Sequence, residues 1–186
     1  MDTLTRRTFI ASSSLTAVGL LLPTRLAAAA TPGVWDALKN LYDQGELGAV
    51  RRCHLQCLRA DAPSMRDAIE GLQQALGLTT PQKISACGKY VVPNQQPAHF
   101  LVNLEYDPGP TLILTSTSMP GSWGMIRGEN GNAELFSDKI VLHRKQGEVE
   151  EYPVTIESLP RTQTSLTVLN LSLDALNQAV TIYPDK

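Results

Sequence analysis

Three cysteines are the side chains of this sequence whose type and spacing most clearly suit chemistry. Cys53 and Cys57 lie four positions apart in the segment CHLQC, His54 follows Cys53 directly, and Cys87 comes further along the chain. An odd number of cysteines is typical of one disulfide with a free thiol, or of metal ligation. The pattern matches neither the C-x-x-C-H motif of haem attachment nor the C-x-x-C motif of thiol redox enzymes.

The use of these thiols depends on the secondary structure of residues 50–60. In a strand, Cys53 and Cys57 share one face but stand about 13 Å apart, too far for a disulfide, so that Cys57 and Cys87 become the candidate bridge. In a helix, they lie on adjacent turns and can share a soft metal such as copper(I), with His54 and Cys87 as further candidate ligands. The clean alternation of residues 50–57 and the break at Asp61-Ala62-Pro63 favour the strand.

Linear motifs of common catalytic and nucleotide-binding sites are absent from the sequence. There is no P-loop, no G-x-G-x-x-G, no H-E-x-x-H and no EF-hand loop. His99 and His143 stand singly in predicted strands, and their spacing with His54 is not that of a zinc site. Enzymatic activity is therefore undecided, and the sequence favours a protein without it, although an acid/base site without a linear motif is a third possibility.

The N-terminal segment has the parts of an export signal. Arg6 and Arg7 precede an apolar stretch over residues 9–22, and Ala30 ends a run of small residues suited to cleavage. The order Thr-Arg-Arg-x-Phe-Ile resembles the twin-arginine (Tat) signal. The resemblance implies that the protein meets the Tat export machinery, crosses the membrane already folded and resides in the bacterial periplasm. It covers only about residues 3–30.

Composition limits the partners of the remaining chain, residues 31–186. The full sequence has a formal net charge of −2 and no basic run, which argues against nucleic acid as a partner. The apolar stretch of the signal is shorter than the roughly 20 residues of a membrane-spanning helix, and nothing after Ala30 is long or apolar enough to span a bilayer. The sequence therefore predicts no stable membrane anchor.

Two helices are predicted early in residues 31–186. Residues 34–42 place their apolar side chains on one helical face, and Gly45 ends this helix. Ser64 is suited to be the N-cap of a second amphipathic helix, which Gly77 ends.

From residue 90 onward the pattern is that of an antiparallel β-meander. Apolar residues alternate over 100–106, and Asn130-Gly131 predicts a tight hairpin. Residues 166–173 are apolar on both faces, which favours a central strand, and residues 179–183 are expected to close the sheet. The predicted fold is one α+β domain, with N-terminal helices packed on an antiparallel meander or sandwich-like sheet.

Two functional hypotheses of different classes follow from the sequence. The first is an exported, non-catalytic accessory or binding subunit of the bacterial envelope, docked to a larger redox enzyme. It rests on the export signal together with the absence of a catalytic motif. The second is a soft-metal-binding or thiol redox protein that uses Cys53, Cys57 and Cys87, with copper or another soft metal as the cofactor.

Overall fold

The computed structural model describes residues 31–57, 63–89, 99–116, 121–156, 162–178 and 181–184. The chain divides into residues 1–30 and residues 31–186, and all described residues belong to the second part. Arg6, Arg7 and Ala30 of the predicted export signal lie outside them.

Three helices and nine strands form in the described ranges. In chain order they are α1 Val34–Asp43, β1 Val50–Gln56, α2 Met65–Leu76, β2 Lys83–Lys89, β3 His99–Glu105, β4 Thr111–Thr115, β5 Gly124–Gly128, β6 Gly131–Leu135, β7 Lys139–Arg144, β8 Val149–Pro153, α3 Gln163–Gln178 and β9 Thr181–Ile182. None of these helices is both long enough and apolar enough to cross a bilayer.

All nine strands belong to one sheet, in the order β8-β7-β6-β5-β1-β4-β3-β2-β9. The predicted α+β class is confirmed, whereas the antiparallel meander is only partly right. Two antiparallel meanders, β2 to β4 and β5 to β8, are present. Between them lies β1, which comes from the first part of the chain and runs parallel to β4 and antiparallel to β5.

The core lies between one face of the sheet and the helices. Strand residues that alternate along this face, such as Leu55, Leu114 and Ile126, are completely buried. The helices α1 and α2 pack on each other through Trp35 and Gly71. Because side chains of a strand point alternately to the two faces, the residues between these apolar positions are displayed on the opposite face of the sheet.

The first two helices form where the sequence predicts them. The Ser64 hydroxyl accepts a hydrogen bond from the Asp67 backbone N–H, which satisfies one of the free donors at the start of α2. Gly77 ends α2 with φ of 65°, a left-handed conformation that glycine adopts without steric cost.

The hairpin predicted at Asn130-Gly131 is present. Ile126 pairs with Ala133 and Arg127 with Asn132, so that the two-residue loop consists of Glu129 and Asn130. Gly131 itself is the first residue of β6, where a Cβ atom would lie 2.9 Å from the backbone oxygen of Glu46. The close approach of the loop after α1 therefore requires a glycine at this position.

The strand predicted at residues 166–173 is wrong, because this segment lies within α3. Its buried residues are Ser165, Val168, Ser172, Ala175 and Leu176, which have the spacing of one helical face. The Thr162 hydroxyl accepts from the Ser165 N–H at the start of the helix. Periodicity alone does not separate a short apolar strand from a buried helix, and this cap is the signal that would have decided it. The expected closing strand at 179–183 is present as the short β9, which pairs with β2.

Candidate functional site

The face of the sheet opposite the helices carries a shallow cavity at its centre. No helix covers this face in the described part of the chain. The central strand β1 and its neighbours β4 and β5 line a cavity of about 560 Å³. We call it the trough, and define it by Arg52, His54, Gln56, Thr115, Met125 and Arg127.

His54 occupies the middle of the trough, beside Thr115. Its Nε2 lies 3.2 Å from the Thr115 hydroxyl oxygen, and that hydroxyl is 3.5 Å from the Leu55 carbonyl oxygen. We assign the Thr115 proton to this carbonyl and the shared proton to His54 Nε2, an assignment that leaves Nδ1 as an acceptor. Burial and the positive charge of Arg127 lower the pKa of His54 below its usual 6.5. The imidazole is therefore neutral near pH 7 and can accept a hydrogen bond or a proton.

Two arginines stand at one end of the trough. Arg52 and Arg127 are directly paired across β1 and β5, and both are exposed. Residues paired in this way have Cβ atoms about 4.5–5.5 Å apart, and like charges directly opposite one another are destabilising. Within the described residues neither arginine forms an ion pair, whereas the adjacent Arg51 is bonded to Glu129. The trough thus has an uncompensated positive end.

The structure does not bring the predicted thiol ligands together. Cys53 and Cys57 point into the core, where burial raises the pKa of the Cys57 thiol to about 12 and that of Cys53 far above its usual 9.0. His54 faces the opposite side of the sheet, in the trough. Cys87 is exposed on β2. No group of three or more His, Cys, Asp or Glu side chains suited to hold a metal ion occurs among the described residues.

The predicted disulfide between Cys57 and Cys87 is wrong, because all three cysteines are free. β3 and β4 lie between β1 and β2 in the sheet, so that Cys57 and Cys87 are separated by three strand spacings, or about 14 Å. A disulfide requires Cα atoms less than about 7 Å apart. Strand order, which the sequence does not reveal, excludes the bridge.

A second cavity of about 400 Å³ lies at the far end of the sheet, beside the loop after α1. An ion-pair cluster lines it. Arg144 donates to Glu46 at 2.7 Å and to Glu150 at 2.9 Å. The hydrogen bond from Arg144 lowers the pKa of Glu46, and hydrogen bonds with Tyr152 and Arg144 lower that of Glu150. This cluster joins the loop after α1 to β7 and β8.

The sequence analysis missed the residues that distinguish the trough. Arg52, Thr115 and Arg127 are single polar residues in three separate strands, and no linear motif connects them. Their alternation with buried residues indicates that each is displayed on one face of its strand. Only the pairing of β1 with both β4 and β5 places them around His54.

No family model and no curated protein matches the sequence. Solved structures do match the fold. A protein described as an oxidoreductase from Klebsiella pneumoniae is similar with a TM-score of 0.62 and 13% identity, over 84% of this chain and 60% of its own. The chain shares its fold with part of an oxidoreductase.

Two further structures agree with this similarity. An oxidoreductase from Agrobacterium radiobacter in complex with NAD+, L-tartaric acid and magnesium has a TM-score of 0.59 and 12% identity, over 80% of this chain and 61% of its own. The WlbA dehydrogenase from Bordetella pertussis, in complex with NADH and UDP-GlcNAcA, has a TM-score of 0.53 and 12% identity, over 81% and 60%. This chain thus spans about 60% of the length of these neighbours.

These comparisons contradict the expected non-catalytic accessory or binding subunit, because the similar structures are oxidoreductases and dehydrogenases. The alternative of a soft-metal or thiol redox protein has no support either, since two of its cysteines are buried and the third stands apart. The expectation of an accessory subunit is therefore not retained, and the comparisons show for this chain a fold that also occurs in oxidoreductases.

The residues of this chain do not fit a nicotinamide dinucleotide. Such cofactors bind where a glycine-rich turn joins a parallel strand to a helix. The segment between β1 and α2 contains no glycine. The parallel pair β1 and β4 is connected through α2, β2 and β3 rather than through a single crossover helix. The described fold consequently lacks a dinucleotide-binding crevice.

Proposed function

We propose that this chain is the substrate-binding domain of an oxidoreductase, and that the trough holds the substrate. The observation that carries the proposal is the fold shared with oxidoreductases over 84% of the chain. Small-molecule sites are typically concave and combine apolar lining with a few convergent polar groups, and the trough has this composition. Because the chain does not fit a dinucleotide, another domain or polypeptide supplies the redox cofactor.

His54 is the residue we assign to the reacting end of the substrate. Oxidation of an alcohol requires removal of a hydroxyl proton, and a neutral imidazole held by a fixed hydrogen bond can accept it. The contact with Thr115 holds one ring nitrogen and leaves the other for the ligand. The complexes of similar enzymes contain L-tartaric acid and UDP-GlcNAcA, which supports a hydroxylated small molecule as the substrate class.

The site of action that we propose is the bacterial envelope. Arg6 and Arg7 support export through the Tat machinery, which carries folded proteins. Folded export suits a domain that must travel with a cofactor-bearing partner, and the proposed partner is a larger envelope redox enzyme. Replacing Arg6 and Arg7 with lysine is expected to abolish accumulation of the processed protein in the periplasm, as followed by cell fractionation; undiminished processing would refute this route.

Enzyme activity in cells tests the assignment of His54. A deletion strain is complemented with the full chain, and its envelope extracts are supplied with a panel of polyols and hydroxy acids. The assay follows the reduction of an added electron acceptor that depends on these substrates. We expect the wild-type chain to restore activity and His54→Gln to restore little, with equal amounts of protein. His143→Gln is the matched control, because His143 lies on β7 outside the trough, and it should restore full activity. Activity that is independent of the chain would refute the proposal.

A second measurement tests the division of roles between this chain and its partner. The purified chain should bind members of the panel in calorimetric titrations but should not quench or enhance NADH fluorescence. Saturable NADH binding by the chain alone would show that the cofactor site lies in this polypeptide, against the geometry described above.

A further inference from the structure

The arginine pair at the end of the trough is unusual within this protein. Several cations on other strands have acidic partners: Lys83 bonds to Glu105, Lys139 to Glu151, and Arg144 to Glu46. Arg52 and Arg127 face each other with no carboxylate between them in the described part of the chain. The free protein thus holds two like charges in direct cross-strand register, an arrangement that costs stability.

A bound oxyanion would remove this repulsion. The planar guanidinium presents a fork of N–H donors that matches the two oxygens of a carboxylate or a phosphate. Two such forks on one face of adjacent strands can hold one anionic group between them. The remaining polar groups of the trough, at His54, Gln56 and Thr115, then lie along β1 and β4, away from the charged end.

We infer that the trough is specific for a small, polyhydroxylated ligand that carries one oxyanion group, held between Arg52 and Arg127. Arg52 and His54 are two residues apart on β1, a separation of about 7 Å, which suits a ligand of the size of a sugar acid or a sugar phosphate. The cavity of about 560 Å³ lies within the usual range for such ligands.

The neutral state of His54 is consistent with a ligand whose oxyanion lies at the arginine end of the trough and whose hydroxyls lie near His54. A third positive charge in the trough would draw the oxyanion away from the arginine end, whereas a neutral imidazole accepts a hydrogen bond from a hydroxyl. The Thr115 hydroxyl oxygen likewise suits a hydroxyl rather than an ion. The charged group of the ligand and its reacting hydroxyl are therefore held at different positions along the trough.

This inference rests on the proposed function only in naming the ligand as a substrate, because binding is measurable without turnover. The test titrates the full chain with glucuronate, glucose 6-phosphate and glucose by calorimetry. We expect at least one anion to bind about tenfold or more tightly than neutral glucose, since a charge-assisted contact contributes at least that factor. The comparison of glucuronate with glucose 6-phosphate identifies the oxyanion.

Variants decide whether the arginine pair is responsible. Arg52→Gln and Arg127→Gln should each weaken anion binding about tenfold or more and leave the affinity for glucose unchanged. Arg51→Gln is the matched control, because Arg51 neighbours Arg52 on the same strand but is bonded to Glu129; it should leave anion binding unchanged. The melting temperature of the free protein should not fall in either trough variant, because each substitution relieves repulsion, so that misfolding does not explain a loss of binding.

Four results would overturn the inference. The first three are equal affinities for glucose and for both anions, retention of anion binding by both trough variants, and a fall in anion affinity in Arg51→Gln as large as in the trough variants. A change of molecular mass in the trough variants without a change in anion binding would also overturn it, because the arginines would then serve contact with another protein chain. A lack of oxidoreductase activity in cells would refute the proposed function while leaving the binding result intact.

Discussion

Gly71 lies in the interior of α2, where the indole of Trp35 from α1 takes the space that a side chain would need. A Cβ atom at residue 71 would stand 2.1 Å from Trp35 Cδ2 and 2.2 Å from Cε2. Carbon atoms in favourable contact are about 3.5–4.0 Å apart. The substitution Gly71→Ala therefore forces α1 away from α2 or displaces the indole.

The indole of Trp35 has little freedom to move. It is 3% exposed, and its ring meets that of Trp123 edge to face at a centroid distance of 5.7 Å. Extra atoms in a packed core cost about 1–3 kcal/mol, while alanine in a helix interior gains about 1 kcal/mol over glycine. With the cost near the upper end of its range, the free energy of unfolding should fall by about 1–2 kcal/mol. For a domain of this size the melting temperature then falls by about 2–8 °C.

Thermal unfolding of the full chain, followed by circular dichroism, measures this effect. The same substitution in a Trp35→Leu background is the control, because the smaller side chain leaves room for the new methyl group. In that background Gly71→Ala should be neutral or stabilising, since the gain in helix propensity remains. A higher melting temperature for Gly71→Ala beside an intact Trp35 would refute the packing described here.

Three further predictions concern single ionisable groups. Glu70→Gln should lower the free energy of unfolding by about 1–3 kcal/mol, because Glu70 is buried and its carboxylate accepts a hydrogen bond from Ser165. Burial raises the pKa of Glu70, but its hydrogen bonds outweigh burial and hold it below 4.5; in urea titrations the difference should therefore shrink as the pH falls through and below that value. The pKa of His54, followed by NMR, should lie below 6.5 and rise when an oxyanion screens Arg127, and a higher value in the free protein would contradict the assigned burial. Cys87 should react with a thiol reagent in the native protein while the two buried cysteines react only after unfolding; a second fast thiol would show that the core is open.

The local sequence was sufficient to predict α1, α2 and most strands. Ser64 and Gly77 define the ends of α2 through groups within the helix and its flanks, so that the signal is complete in the sequence. The strand at 50–56 was likewise predicted by its alternation. The strand predicted at residues 166–173 was wrong because an apolar run is compatible with both a strand and a helix. Packing of this segment beside α2 and β2 selects the helix.

The trough could not be predicted because it depends on strand order. Cys53 and His54 are adjacent in the sequence, which suggested one shared site, yet the alternation of a strand sends the first into the core and the second to the opposite face. Arg52 and Arg127 are far apart in the sequence and become neighbours only when β5 pairs with β1. The two residues most relevant to ligand charge therefore carried no local signal.

The sequence by itself determined the ends of α1 and α2, a hairpin near Asn130-Gly131 whose loop the structure places one residue earlier, and the alternation that separates core residues from surface residues. These features arise from interactions over a few neighbouring residues. The tertiary structure alone decided that β1 enters the middle of the sheet and lies parallel to β4. That placement requires contacts between segments that are distant along the chain, and it is favoured by burial of the apolar faces of both strands rather than by any local preference. It separates Cys57 from Cys87, and it assembles Arg52, His54, Thr115 and Arg127 into one cavity.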